Sequence, residues 1–357
     1  MNPRPLPRES VALMQGYHSP QLEVEVRLNA NESPEPPPAE FRAAVAEAVD
    51  RVAWHRYPDR SATRLRTRIG ELHEVGPEQV FAANGSNEVL QTLLLAYGGA
   101  GRTAAVFEPT YALHAHLGRV TGTSVVTGER GPAFALDIDE ARRVVQSHRP
   151  DVTFLCSPNN PTGAIDDPAK VSEVLGLVRG VGGLLCVDEA YGQFNEASAL
   201  SLLGDEAPLV VTRTYSKTWA MAGARLGYLV GPEWLVSELS KVVLPYHLDA
   251  MTQIAGAVAL DYVDSMQQRV QRLVAERERL VAELAMTPVE VWPSGANFVL
   301  IRPEEVSGEV VWQKLVDRSV LVRNCASWPR LEGCLRVTVG APRENDRFLE
   351  ALREVLT

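Results

Sequence analysis

From about residue 79 the chain alternates short runs rich in β-branched residues with stretches of helical period, and few architectures accommodate that alternation. The succession VFAA, NEVLQTLLLAY, TAAVFEP, YALHAHLGRV, SVVTG, DIDEARRVVQSHR and DVTFLC predicts strands separated by helices. This is the pattern of a mostly parallel sheet covered on both faces. Further strands are expected at 183–188, 208–212 and 225–230. The last follows its predecessor too closely for a helical crossover, which predicts an antiparallel strand. Between about 250 and 285 the chain is amphipathic and charged, as a long helix joining two domains would be. Short strands and helices follow it (VEVW, NFVLI, EVVWQKLVD, VLVR, LRVTV, ENDRFLEALREVL), which predicts a small α+β domain. At 357 residues the chain exceeds the length at which single cores usually divide. The expected division is an N-terminal arm over 1–27, a large α/β domain over 28–247, and a linking helix with the small domain over 248–357. Residues 28–38 (LNANESPEPPP), dense in Asn and Pro, read as a connector between arm and body.

Composition removes several function classes. A formal net charge of −10 with no local basic stripe argues against a nucleic-acid partner. No apolar run approaches the roughly 20 residues a membrane span needs, and MNPRPLPRES lacks an apolar signal core. The expectation is a soluble cytoplasmic protein. Cys156, Cys186, Cys325 and Cys334 are too scattered for a disulfide framework or a zinc site and read as small buried residues.

Four segments carry chemistry. In TRTYSKTWAMAGARLGY (212–228) Lys217 lies just beyond a buried strand, with hydroxyls at Thr214 and Ser216 before it and Arg225 after it. In VDEAY (187–191) Asp188 ends an apolar strand, at the edge where open α/β sheets build ligand crevices, and a carboxylate there needs a cationic partner. SPNNPTG (157–163) ends another strand and offers the Asn160 amide to a ligand. NGSNE (84–88) is a Gly-Ser turn opening a helix, whose free backbone N–H groups suit a phosphate. Taken singly, each has a plain structural explanation: a turn lysine on the surface, a strand-end Asp as helix cap or ion-pair partner, ordinary turns.

In this order and combination, the four segments resemble the fold-type-I pyridoxal-phosphate aminotransferases, over roughly residues 22–354. More narrowly, LNANES (28–33), RYPD (56–59), EPTY (108–111), SPNNPTG, VDEAY, LPYHL (244–248) and VLVR…LRVTVG (320–340) look like the histidinol-phosphate aminotransferases. The resemblance implies a bound pyridoxal 5'-phosphate. Lys217 would form the Schiff base with it and then carry a proton between substrate and cofactor. Asp188 would pair with the pyridine nitrogen, keeping the ring an electron sink. Asn160 and Tyr191 would hydrogen-bond the phenolate oxygen, and Tyr111 would stack on the ring. Ser86, Asn87, Thr214, Ser216 and Arg225 would bind the phosphate. Asn87 departs from the family, where Asp is frequent; binding through the backbone N–H would make the change harmless.

By the same resemblance, Tyr57 reaches the cofactor phosphate of a neighbouring subunit, which implies a homodimer with composite sites. Tyr17, on the arm, would line the partner's substrate pocket. Without the family Tyr57 would read as packing. Read without the family, Arg336 and Arg323 would be solvated strand arginines; in relatives the Arg336 position grips the α-carboxylate through a bidentate fork, and since histidinol phosphate lacks that group Arg336 would engage the phosphate here, with Arg323 helping at the distal anion. The implied reaction moves an amino group from L-histidinol phosphate to 2-oxoglutarate, giving imidazole-acetol phosphate and L-glutamate.

Three other readings compete. A dinucleotide-binding α/β domain should open on GxGxxG, which is missing. A non-catalytic binding module of the same fold would not need the full set of reactive residue types. An aromatic amino-acid aminotransferase or a threonine-phosphate decarboxylase would share the cofactor machinery, which motifs alone do not separate.

Overall fold

In the computed structural model the described residues are 4–12, 14, 16 and 21–356. Twelve strands divide between two sheets: β1 Val26–Leu28, β2 Val80–Ala83, β3 Thr103–Glu108, β4 Ser124–Glu129, β5 Val152–Cys156, β6 Leu184–Asp188, β7 Leu209–Thr214, β8 Gly227–Val230, β9 Val289–Val291, β10 Phe298–Pro303, β11 Val320–Asn324 and β12 Leu335–Thr338. The larger sheet has the order β2-β8-β7-β6-β5-β3-β4. Its pairings are parallel except those of β8, which runs antiparallel to β2 and β7 as its short connection requires. The smaller sheet has the order β1-β11-β12-β10-β9.

β5, β6 and β7 are buried along their whole length, so their sequences are nearly continuous apolar runs. Alternate residues feed opposite faces. Phe154, Cys186 and Val210 join one apolar cluster, whereas Leu155, Val187 and Val211 join another. The parallel register sets Cys156 beside Asp188 and Asp188 beside Thr212. The chain segments leaving these strands therefore converge at one carboxyl edge, where such sheets open a crevice.

Two sequence expectations change. The stretch 250–285 is not one helix: Ala250–Ala259 and Val263–Leu284 are separated by a 3₁₀ turn at Leu260–Tyr262. The turn is pinned to neighbouring helices, with Tyr262 edge-on to Phe41 at 5.7 Å and Asp261 bound to Arg68 at 2.8 Å. The first helix thus packs on Ala39–Asp50 and Thr63–His73, while the second packs against Pro342–Leu356 and β10. Secondly, β1 straddles the expected boundary at 27/28 and pairs parallel with β11, so the N-terminal segment enters the smaller sheet before the larger one begins. No helix among the described residues is long and apolar enough to cross a membrane. All four cysteines are free and buried.

Candidate active site

At the carboxyl edge of β5, β6 and β7 lies a cavity of about 510 Å³ lined by Ser86, Asn87, Tyr111, Asn160, Asp188, Tyr191, Thr214, Ser216, Lys217 and Arg225, together with Ala30 and Glu32. Ten residues singled out in the sequence thus face one space. Its size suits a small organic ligand.

One end is built for an anion. The helix Ser86–Tyr97 begins at the cavity; the Glu88 N–H turns back to the Gly85 carbonyl at 3.1 Å, while the N–H groups of Ser86 and Asn87 precede the first intrahelical bond. Arg225 lies against this turn, donating from Nη1 to Ser216 Oγ at 3.3 Å, and Thr214 Oγ1 lies 3.0 Å from the same hydroxyl. Two glycines permit the approach. Gly85 has φ +82°, and a Cβ there would come within 2.7 Å of Arg225 Nη2; a Cβ on Gly227 would meet the Ser86 nitrogen at 2.2 Å.

The other end holds a buried carboxylate. Asp188 is 1% exposed. Its Oδ1 accepts from Thr212 Oγ1 and the Ala190 N–H, each at 3.1 Å, and Oδ2 lies 3.0 Å from His114 Nε2. His114 stacks flat on Phe154 at 4.8 Å and meets Tyr111 edge-on at 5.4 Å. Its Nδ1 is buried with no hydrogen-bond partner. The imidazole is therefore committed to the carboxylate, which it orients from behind.

Between these ends stands Lys217, with Nζ 3.1 Å from the Ala30 carbonyl and 5.7 Å from the Tyr191 ring centre. Burial, helped by the nearby Arg336 and Arg225 charges and opposed by Glu32, lowers its pKa from 10.5 to about 7. A neutral, nucleophilic amine is thus available near neutral pH. The Tyr191 hydroxyl accepts from Asn31 Nδ2 at 2.9 Å, and burial pushes its pKa up to about 12, so its own proton stays available for donation. Arg336 donates to Asn160 Oδ1 at 2.5 Å, which leaves the Asn160 amide N–H₂ free to face a ligand.

Arg336 and Arg323 are direct cross-strand partners on β12 and β11, both nearly buried. Like charges so placed repel. Among the described residues, Arg336 donates to two neutral acceptors, Asn160 Oδ1 and the Asn29 carbonyl at 2.9 Å, and its Nε–H is buried with no hydrogen-bond partner. Neither arginine lines the cavity itself; Arg336 reaches its wall through Asn160. Tyr57 is elsewhere: it is 80% exposed, stacks on Tyr246 at 4.5 Å, and does not line this chain's cavity. Tyr17 lies outside the described residues.

Sequence reasoning missed His114, Thr212 and the segment Asn29–Glu32. Residues 28–33 are not a bare connector: they supply the carbonyls that hold Lys217 and Arg336 and the amide that holds Tyr191. His114 stands one helical turn after Tyr111, the one local signal that both face the same side. A phosphorylated aromatic aldehyde fits this set: an anion cradle, an amine of lowered pKa, donors from Asn160 and Tyr191, and a buried carboxylate.

The chain matches the aminotransferase class I and II family over residues 23–352. It is 45% identical over 367 residues to a histidinol-phosphate aminotransferase of Mycobacterium marinum, covering 98% of this chain and 94% of that protein. A histidinol-phosphate aminotransferase of Streptomyces avermitilis is 46% identical, with 95% and 93% covered. The fold is shared with the crystal structure of the Sinorhizobium meliloti histidinol-phosphate aminotransferase in complex with pyridoxal-5'-phosphate, at TM-score 0.90 and 20% identity, covering 99% of this chain and 98% of that one. The chain belongs to the class I and II aminotransferases, a family of pyridoxal-phosphate-dependent transaminases.

Proposed function

We propose that this aminotransferase transfers the amino group of L-histidinol phosphate to 2-oxoglutarate, forming imidazole-acetol phosphate and L-glutamate in histidine biosynthesis. The observation that carries the substrate is the Arg323–Arg336 pair, two buried arginines opposite each other on β11 and β12, of which Arg336 bonds the cavity residue Asn160. One anion site must serve a phosphate ester in one half-reaction and a dicarboxylate in the other, and guanidinium forks match both. The relatives' shared name supports the same reading.

The cofactor supplies an aldehyde for the lysine and a ring that withdraws electrons from the substrate carbon. Ser86, Asn87, Thr214, Ser216 and Arg225 would bind its phosphate, Tyr111 would cover its ring, and Asn160 and Tyr191 would donate to its phenolate oxygen. Asp188 would hold the proton on the ring nitrogen. Lys217 Nζ would hold the aldehyde end and, as a neutral amine, would carry the proton to and from the substrate carbon.

Lys217 sets a pH dependence. Its folded pKa lies below its ordinary value, so the amine is protonated below about 7 and neutral above. Covalent capture of pyridoxal phosphate by apoprotein should rise as pH passes through about 7 and then level off. Stopped-flow absorbance showing a midpoint near the ordinary lysine value would remove the neutral amine from the account.

The exposed Tyr57–Tyr246 stack, with Trp54 and Leu244 also exposed, supports a homodimer in which Tyr57 serves the neighbouring site. Tyr17 is assigned to the substrate pocket on resemblance alone. Four free buried thiols suit the reducing cytoplasm. Residues 28–247 and 248–357 are taken as the large and small domains behind the 1–27 arm, with β1 reaching across to the smaller sheet.

The deciding measurement is kcat/KM for histidinol phosphate, phenylalanine, tyrosine and threonine phosphate, with carbon dioxide release followed in parallel. Histidinol phosphate should lead by at least about tenfold, because a ligand lacking the distal anion forgoes the charge-assisted bonds a guanidinium fork would give it. Preference for phenylalanine would end the substrate assignment, and carbon dioxide from threonine phosphate as the main product would end the reaction class.

A further inference from the structure

The β11–β12 connection, residues 325–334 (CASWPRLEGC), is a ten-residue loop that the cofactor chemistry does not use. It is nevertheless tightly held. Its ends are closed by the ladder-like bond from the Cys325 N–H to the Cys334 carbonyl at 3.0 Å, and the Trp328 N–H donates to the Cys325 carbonyl at 2.9 Å. Its far side is fastened across the molecule: Arg330 donates to the carbonyls of Arg130 and Gly131 and lies 5.9 Å from the Phe134 ring centre. Arg130 is itself locked by a fully buried ion pair to Asp166 at 2.7 Å. Cys325, Leu331 and Cys334 pack with Phe134, Trp292 and Leu300 beneath the loop, and Trp328 lies half-buried against that cluster.

Such anchoring gives Trp328 one orientation, and that orientation addresses both anion-site arginines. The Arg323 guanidinium carbon lies 5.6 Å from the Trp328 ring centre and that of Arg336 lies 6.0 Å from it. An aromatic face attracts a guanidinium electrostatically, and most strongly for tryptophan where water is excluded. Here one indole attracts two cations that repel each other across the strand pair. Asn160 and the Asn29 carbonyl fix the Arg336 fork from the cofactor side, and Phe298 adds a second ring 5.2 Å from the same guanidinium. Trp328 is the aromatic group common to Arg323 and Arg336.

We propose that Trp328 is a positioning residue for substrate recognition: its indole holds Arg323 and Arg336 together, ready to receive the phosphate of one substrate and the distal carboxylate of the other. The proposal rests on the reading of these arginines as the substrate-anion site. It makes the loop a specificity element, since only a ligand whose anion reaches both guanidiniums draws on the arrangement. With the ring removed, Arg336 keeps its bonds to Asn160 and Asn29, but the shared attraction that offsets its repulsion with Arg323 is lost, and holding the two guanidiniums close again weakens binding of the anion.

The test uses the holoenzyme and three substitutions, Trp328→Phe, Trp328→Leu and Trp328→Ala, with steady-state kinetics for histidinol phosphate and 2-oxoglutarate. Removing the ring takes away both cation–π attractions at once, which should raise KM for both substrates by about tenfold in Trp328→Leu and Trp328→Ala. Values of kcat and the absorbance of bound cofactor should stay within about twofold, because nothing that touches Lys217 or Asp188 changes. Trp328→Phe, which keeps a ring face, should recover most of the loss. Leu fills similar space without a ring, so equal kinetics for Leu and Phe would reduce Trp328 to packing and overturn the proposal. Unchanged KM in Trp328→Leu would overturn it as well. If Trp328→Ala does not fold, the Leu and Phe proteins carry the comparison. Arg336→Lys and Arg323→Ala, measured beside them, separate two failures. Arginine variants with unchanged KM sink the anion-site reading itself, whereas weakened arginine variants beside a normal Trp328→Leu sink only the role of Trp328.

Discussion

Lys217→Ala should lose about 10³-fold or more in kcat while still binding pyridoxal phosphate, because the loss of a positioned proton-transfer group alone costs up to about 10⁴-fold. The loss is local by construction. Lys217 makes one hydrogen bond, to the Ala30 carbonyl, and its charged form is disfavoured by burial, so removing it leaves no unpaired buried charge. The anion cradle of Ser216, Arg225 and the Ser86 helix turn is built without it, so cofactor content after dialysis should remain near one per chain. Borohydride treatment followed by peptide mass analysis should find the pyridoxyl adduct on Lys217 in the unaltered protein and no adduct in the variant. An adduct on another lysine, or kcat within tenfold of normal, would remove Lys217 from its role. The same protein tests the composite site. Mixed with Tyr57→Ala under subunit exchange, Lys217→Ala should regain part of the activity, since one of the two sites in each mixed dimer is then intact. No recovery despite proven exchange would keep Tyr57 within its own subunit.

What could be read in the sequence was whatever is written locally. Lys217, Asp188 and Asn160 stand just beyond or at the ends of apolar strands, and Ser86 opens a helix after a Gly turn, so each advertised its place within a few residues of itself. The parallel sheet was legible for the same reason: strand and helix periods differ, and the interval before β8 was too short for a crossover. Long-range partners carry no such mark. Asp188 and His114 meet over 74 positions, and Asn31 reaches Tyr191 over 160. β1 finds β11, with Val26 opposite Val320, through a pairing that three residues of local pattern cannot specify. The break at Leu260–Tyr262 was hidden because Tyr262 and Asp261 suit a helix until Phe41 and Arg68 are placed beside them. Tyr57 is legible in neither sequence nor single chain: an exposed aromatic ring would gain the proposed role only beside a neighbouring subunit.

Asp188→Asn and Asp188→Ala should each lower kcat by about a thousandfold or more, equivalent to several kcal/mol of transition-state stabilisation. The two variants separate charge from packing. Asp188 accepts from Thr212 and the Ala190 N–H through one oxygen, and an Asn carbonyl can keep both bonds. Its amide would then face His114 Nε2 as a donor, forcing the imidazole proton onto Nδ1, which is buried without an acceptor. Alanine removes every acceptor and leaves a void, so it should unfold at lower temperature than the Asn protein, at a cost of about 1–3 kcal/mol for the stranded donors. Yet both lack the carboxylate proposed to hold the proton on the ring nitrogen, so both should fall to similar turnover despite different stability. Cofactor content should change little in either, because none of the bonds that hold Thr214, Ser216 and Arg225 together involves Asp188. Thermal melts beside single-turnover kinetics decide the matter. If Asp188→Asn turned over within tenfold of normal, the charge at this position would have no part in the chemistry, and the His114–Asp188 pair would be a structural tie between the strand end and the helix that carries Tyr111.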